Sequence, residues 1–149
     1  IVEFDPETGR KVRSLGGQGY GEDSSWTRGQ GWALYGFTIS FLHTGKQEYL
    51  ETAKKVAGYC MAHIPESGII PVDFRQPPQP AWEDSCGACV IAGGLLELAK
   101  CMPEGEQEKY EDTAGKLRCH RAELQRCLPC AGASFYHELC GLLFYRSDL

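Results

Sequence analysis

The fold is decided by residues 24–37, which have the sequence SSWTRGQGWALYGF. Small polar residues open the segment, and one of Asp23, Ser24 and Ser25 is predicted to cap the free amides of a first helical turn. Apolar side chains then recur at helical spacing, and Gly45 is a typical C-terminal stop. The pattern predicts an α-helix that is buried along its length.

Two side chains near the start of this predicted helix suggest a sugar site. Arg28 and Trp32 stand four residues apart and therefore share one face. A guanidinium can hold a carboxylate through two parallel hydrogen bonds, an indole offers a flat surface for a ring, and a helix N-terminus attracts an anion. Together they suit a uronic acid. The alternative is structural: Arg28 pairs with Glu22 or Asp23, and Trp32 lies in the core.

The same stretch closely resembles the signature of the unsaturated glucuronyl hydrolases, which form glycoside hydrolase family 88. The resemblance covers about residues 1–118. It is specific because several motifs follow one another in the family's order. These motifs are Gln18-Gly19-Tyr20 before the helix, His43-Thr44-Gly45 at its end, Tyr49-Leu50-Glu51-Thr52-Ala53-Lys54, a proline-rich loop with Asp73, Asp84-Ser85, and Gly94-Leu95-Leu96-Glu97-Leu98.

The remaining pattern is mostly helical and repeats. A short β-hairpin is predicted at residues 1–12, and further helices at about 47–63, 84–102 and 105–124. The motif Tyr-x-x-Thr-Ala-x-Lys that begins at Tyr49 recurs from Tyr110. Repeated helical hairpins stack into solenoids or close into toroids, and two hairpins cannot close a ring. We therefore expect an all-α fold, and the resemblance implies part of an (α/α)6 six-hairpin toroid.

The resemblance also implies an activity. The family removes a 4,5-unsaturated uronic acid from oligosaccharides that polysaccharide lyases release: an Asp protonates the vinyl ether at C4, water adds at C5, and the hemiketal collapses. By resemblance, Gln18 hydrogen-bonds the substrate, Arg28 holds the sugar carboxylate or a neighbouring charged group, and Trp32 stacks on the ring. Trp26 is predicted to be core.

No catalytic residue is assigned to this chain. In the family the catalytic Asp residues lie N-terminal to the region seen here, so the 149-residue chain is expected to be inactive. Asp23 and Asp84 are predicted to be helix caps, and Asp73 is predicted to anchor its loop. No cofactor or metal is expected at the site.

Composition limits the partners. The net charge is −5 and no basic stripe is present, which argues against nucleic acid. No apolar run is long enough to span a bilayer, and no signal peptide is seen. We expect a cytoplasmic protein, as is usual for such glycosidases. Because the chain begins with Ile1 rather than Met, we also expect it to be an internal piece.

The C-terminal part differs in character from the rest. Residues 119–149 do not resemble the family, and we expect this cysteine-rich tail to be out of frame or otherwise not native to the fold. A tail that binds zinc, or a non-catalytic helical scaffold, are the alternative functions. Cys86 and Cys89 are predicted to be small packing residues. The candidate zinc ligands are Cys127, Cys130, His137 and Cys140.

Overall fold

The computed structural model describes residues 2–22, 24–80 and 82–117. Asp23 and the tail with its candidate zinc ligands therefore lie outside the described residues. The described part contains one short antiparallel sheet and four helices. Its elements are β1 (Val2–Phe4), β2 (Lys11–Ser14), α1 (Thr27–Thr44), α2 (Gln47–His63), α3 (Ser85–Lys100) and α4 (Glu108–Lys116).

The predicted N-terminal hairpin is confirmed. Strands β1 and β2 pair antiparallel, and a bulge interrupts the register between Glu3 and Phe4. The turn between the strands is held by Asp5, whose Oδ1 accepts hydrogen bonds from the backbone N–H of Glu7 at 3.0 Å and of Thr8 at 2.7 Å. This is the local side-chain chemistry for which turns select aspartate.

Helix α1 packs against both α2 and α3, and α3 also packs against α4. Glycines allow α1 and α3 to approach closely: a Cβ atom at Gly94 would lie 2.7 Å from Cγ of Leu34, and one at Gly31 would lie 3.1 Å from Cγ1 of Ile91. Helix α3, which is rich in small and apolar residues, is buried without interruption from residue 87 to residue 95.

Helix α2 has the predicted bounds, and its buried face contains Leu50, Ala53, Ala57 and Cys60. Helix α1 ends as predicted at Gly45, which has a φ of 68° and donates its N–H to the carbonyl of Phe41. Helix α4 begins at Glu108, later than predicted, because turns occupy the residues between Pro103 and Gln107. Its predicted end falls outside the described residues.

Two predictions about α1 are wrong. The helix begins only at Thr27, after Trp26, and neither Ser24 nor Ser25 caps it, while the third candidate cap, Asp23, lies outside the described residues. It is also not buried along its length, because its buried residues are confined to one stripe, and Trp32 and Leu42 are about half exposed. In the described residues, no helix combines the length and apolar character needed to cross a membrane.

Candidate functional site

The loop that joins α2 to α3 runs along the start of α1. Two isolated bridges stabilise it, one between Trp26 and Asp73 and one between Pro71 and Glu83. In the first, the N–H of Thr27 donates to the carbonyl of Val72 at 3.0 Å, and the N–H of Phe74 donates to that of Ser25 at 3.0 Å. The loop is thereby fixed against the N-terminus of α1 by main-chain hydrogen bonds.

Asp73 is the buried anchor of this contact, 1% exposed. Its Oδ2 accepts hydrogen bonds from the N–H of Tyr20 at 3.1 Å and from the hydroxyl of Ser24 at 2.7 Å. Its Oδ1 accepts from the N–H of Ser25 at 2.9 Å and from that of Arg75 at 2.8 Å. The predicted anchoring role is confirmed.

The electrostatics of Asp73 exclude a role as an acid near neutral pH. Burial raises the pKa of this carboxyl, but the Ser24 hydroxyl and the three backbone amides outweigh burial, so the pKa lies below its ordinary value. A general acid needs a pKa near the working pH. Asp73 is therefore an ionised structural carboxylate.

Asp73 also explains why neither Ser24 nor Ser25 caps α1. The hydroxyl of Ser24 and the N–H of Ser25 both donate to the Asp73 carboxylate, so this segment turns toward the loop before the helix begins. The first helical amide, at Thr27, finds its acceptor in the carbonyl of Val72 instead. A distant carboxylate and a distant carbonyl thus replace a local side-chain cap.

Arg28 makes a two-point ion pair with Asp84 at the start of α3. Its Nε donates to Oδ2 at 3.1 Å, and its Nη2 donates to Oδ1 at 3.0 Å. The Asp84 side chain is 2% exposed, whereas that of Arg28 is 40% exposed. Asp84 also accepts the N–H of Gly87 at 2.9 Å, so its predicted capping role is confirmed. Of the two local alternatives for Arg28, Glu22 is not its ion-pair partner, and Asp23 lies outside the described residues.

Trp32 lies one turn beyond Arg28 on α1 and is 51% exposed, so the alternative that placed it in the core is wrong. An exposed indole beside a fixed guanidinium can offer both a stacking surface and polar donors to a sugar. Trp26, by contrast, is half buried and packs over Gly29, where a Cβ atom would lie 2.8 Å from its ring.

Gln18 is exposed in the glycine-rich segment that precedes α1. Two residues later, the N–H of Tyr20 is bonded to Asp73. Next to it, Gly19 has a φ of 104°, and a Cβ atom there would lie 2.7 Å from Oδ2 of Asp73. The structure therefore ties the segment that carries Gln18 to the start of the helix that carries Arg28 and Trp32.

The proline-rich loop also borders a groove of about 280 Å³. Its walls include Pro65, Pro71, Phe74 and Trp82.

The described residues give no sign of metal chemistry. No group of three or more His, Cys, Asp or Glu among them could hold a metal ion. Cys60 and Cys101 are free thiols. Burial raises the pKa of the Cys60 thiol to about 12. Cys89 is buried in α3 and Cys86 is half buried beside it, in agreement with a packing role.

Comparison with known proteins gives consistent relatives. No protein-family model matches the chain. The unsaturated glucuronyl hydrolase of Bacillus sp. (strain GL1) is 40% identical over 107 residues, which are 71% of this chain and 28% of that protein. The unsaturated chondroitin disaccharide hydrolase of Streptococcus pneumoniae (strain ATCC BAA-255 / R6) is 31% identical over 108 residues, again 71% of this chain and 27% of the relative.

Comparison with solved structures finds relatives of the same kind. A UGL variant with dGlcA-Glc-Rha-Glc superposes with a TM-score of 0.72 at 38% identity, over 77% of this chain and 31% of that one. The chain thus spans about three tenths of the length of the relatives it matches. It is a partial match to the unsaturated glucuronyl hydrolases of glycoside hydrolase family 88, which confirms the family resemblance and the expected fold, a portion of a helical toroid with a short β-hairpin.

Proposed function

We propose that this chain forms the sugar-recognition part of an unsaturated glucuronyl hydrolase. The whole protein would remove a 4,5-unsaturated glucuronic acid from oligosaccharides released by polysaccharide lyases. The observation that carries the proposal is the exposed indole of Trp32, one helical turn from the fixed guanidinium of Arg28. A planar acidic sugar is the ligand class that such a pair suits.

Each candidate residue has a proposed role. Trp32 stacks on one face of the sugar ring. Arg28 donates hydrogen bonds to the sugar carboxylate or to a neighbouring charged group. Gln18, which lies in the segment tied to the start of α1, forms a hydrogen bond with a hydroxyl of the sugar. The partner is an unsaturated uronic-acid oligosaccharide, and neither nucleic acid nor a membrane is a proposed partner.

The proposed chemistry is hydration of a vinyl ether. A carboxylic acid protonates C4 of the unsaturated ring, water adds at C5, and the hemiketal opens with loss of the leaving sugar. Asp73 is unsuited to this task because its lowered pKa leaves it ionised. Asp84 is engaged with Arg28 and with the start of α3. The resemblance to the family places the acid in the region that precedes this one.

The cytoplasm is the proposed location. Free thiols are usual in reducing compartments, and Cys60 and Cys101 of the described part are free. The proposed substrate is the class of unsaturated uronic-acid oligosaccharides, because the relatives are named for chondroitin disaccharides and for glucuronyl compounds generally.

A binding titration tests the recognition role. An unsaturated chondroitin disaccharide is added to the 149-residue chain, and tryptophan fluorescence is followed. We expect a weak affinity, with a Kd on the order of 1 mM for a partial site, and its loss in Trp32→Ala. The matched control is Trp82→Ala, because Trp82 is equally exposed, at 52%, but lies in the proline-rich loop. Binding that Trp32→Ala leaves intact would overturn the proposed site.

A second assay tests the division of labour. Hydrolysis of the same disaccharide is followed through loss of the ultraviolet absorbance of its double bond. The 149-residue chain is expected to show no turnover. Turnover that disappears in a double variant of Asp73 and Asp84 to Asn would contradict our assignment of both carboxylates to structure. Absence of both binding and turnover would favour the non-catalytic helical scaffold.

A further inference from the structure

Asp84 is a buried acid that the proposed function does not itself use. We propose that Asp84 is a positioning residue, which holds the guanidinium of Arg28 in the orientation that meets the sugar. The inference rests on the proposed function, because it concerns the same site. It departs from the simpler view that Asp84 only caps α3.

Main-chain hydrogen bonds fix the position of Asp84 on both sides. Its backbone N–H donates to the carbonyl of Ile70 at 2.8 Å, and its own carbonyl accepts the N–H of Ala88 at 3.0 Å. Oδ1 accepts the N–H of Gly87 at 2.9 Å. A Cβ atom at Gly87 would lie 3.1 Å from Cγ of Asp84, so glycine leaves the carboxylate its space. The acceptor offered to Arg28 is therefore held in place before any ligand arrives.

The two-point contact fixes more than a distance. The guanidinium is a rigid planar fork, so hydrogen bonds from Nε and Nη2 to two oxygens set its plane as well as its position. A free arginine side chain has many rotamers, and a ligand that orders it pays that conformational entropy. The Arg28 side chain is nevertheless 40% exposed. Asp84 thus lowers the entropic cost of recognition.

The carboxylate also has an opposing effect. At about 3 Å it neutralises most of the positive field of Arg28, which weakens the attraction for an anionic sugar. Positioning and neutralisation predict opposite changes on removal of the charge: weaker binding in the first case and tighter binding in the second. The two cases can therefore be separated by experiment.

The test uses the full chain with Asp84→Ser and Asp84→Asn. Serine retains a capping oxygen for α3 but cannot reach Arg28, and asparagine retains the cap and one oxygen without the charge. Kd is measured by NMR titration for the unsaturated disaccharide and for its carboxylate methyl ester. The Nε–Hε signal of Arg28, identified by its loss in Arg28→Lys, reports the orientation of the guanidinium.

We expect the Kd for the charged disaccharide to rise about tenfold in Asp84→Ser, close to the effect of Arg28→Lys. The Arg28 Nε–Hε signal should broaden, while the far-ultraviolet circular dichroism is unchanged. If Asp84→Ser fails to fold, Asp84→Asn is expected to show the same changes with a smaller amplitude, because it retains one of the two contacts.

Three outcomes would overturn the inference. The first is tighter binding of the charged disaccharide, but not of its ester, in both Asp84 variants. That result would show that the main effect of Asp84 is to neutralise the charge of Arg28. The second is an unchanged Kd in both variants although Arg28→Lys weakens binding, which leaves the proposed function intact. The third is the absence of any binding by the wild-type chain, which removes the proposed function and the inference with it.

Discussion

Removal of Asp73 should destabilise the fold far more than removal of another aspartate with a similar set of hydrogen bonds. In Asp73→Ala the N–H of Ser25, which is buried, loses its acceptor. The donors of Tyr20, Ser24 and Arg75 lose their acceptor as well, but these donors lie nearer the surface, where water can replace the Asp73 carboxylate. One buried unsatisfied donor costs roughly 1–3 kcal/mol, and each exchange with water costs less.

The expected loss in free energy of unfolding is therefore about 3 kcal/mol. That is a large share of the roughly 5–15 kcal/mol of a typical domain. The assay is urea denaturation followed by circular dichroism. The matched control is Asp5→Ala, because Asp5 also accepts hydrogen bonds from two backbone amides and a hydroxyl, but in the exposed hairpin turn. A change for Asp73→Ala no larger than that for Asp5→Ala would refute the reasoning.

The same carboxylate predicts a dependence on pH. The pKa of Asp73 is lower in the folded chain than in the unfolded one, since hydrogen bonds to the charged form outweigh burial. Its contribution to stability is then complete above about pH 4 and is lost as the pH falls through the folded pKa. In Asp73→Asn, the difference in urea midpoint between about pH 7 and about pH 3 should be smaller than in the wild type. An equal difference in the variant and the wild type would show that Asp73 is not the source of the pH dependence.

Two further perturbations test the packing. Gly94→Ala places a methyl group 2.7 Å from Cγ of Leu34 and should cost about 2 kcal/mol in urea denaturation, whereas Gly36→Ala, on open helix surface, should stabilise by about 0.5–1 kcal/mol. Equal effects would show that α1 and α3 are not in close contact. Since Cys60 is fully buried with a pKa of about 12, alkylation of the native chain near neutral pH should modify the partly buried Cys101 before Cys60. Mass spectrometry of the peptides checks that order, and equal rates would contradict the burial of Cys60.

The helices could be predicted from the sequence wherever local chemistry fixes them. The limits of α2 follow from its apolar periodicity and from the residues beyond His63, and Gly45 ends α1 because its left-handed φ favours glycine. The burial of α3 fits its small residues, because only a helix with little side-chain volume can be enclosed by neighbours this closely.

Local rules failed at the start of α1. A cap within the preceding residues was the natural expectation, yet Ser24 and Ser25 bond to Asp73, which is 49 and 48 residues away. The structural alternative for Arg28 named only neighbouring acids, yet Arg28 pairs with Asp84, 56 residues away. Sequence patterns of helices and turns carry no information on such long-range partners. The exposure of Trp32 was equally hidden, because helical spacing alone does not identify the buried face.

Both distant partners come from one connection, residues 64–84, and this gives the loop a functional meaning. A long loop without helix or strand is uncommon in a compact domain unless it serves a site. Here Asp73 ties down the segment with Gln18, and Asp84 orients Arg28 while it begins α3. Neither acid is a donor of protons in the proposed reaction. The loop therefore contributes geometry, so changes to its two aspartates should alter ligand affinity and stability before they alter the chemical step.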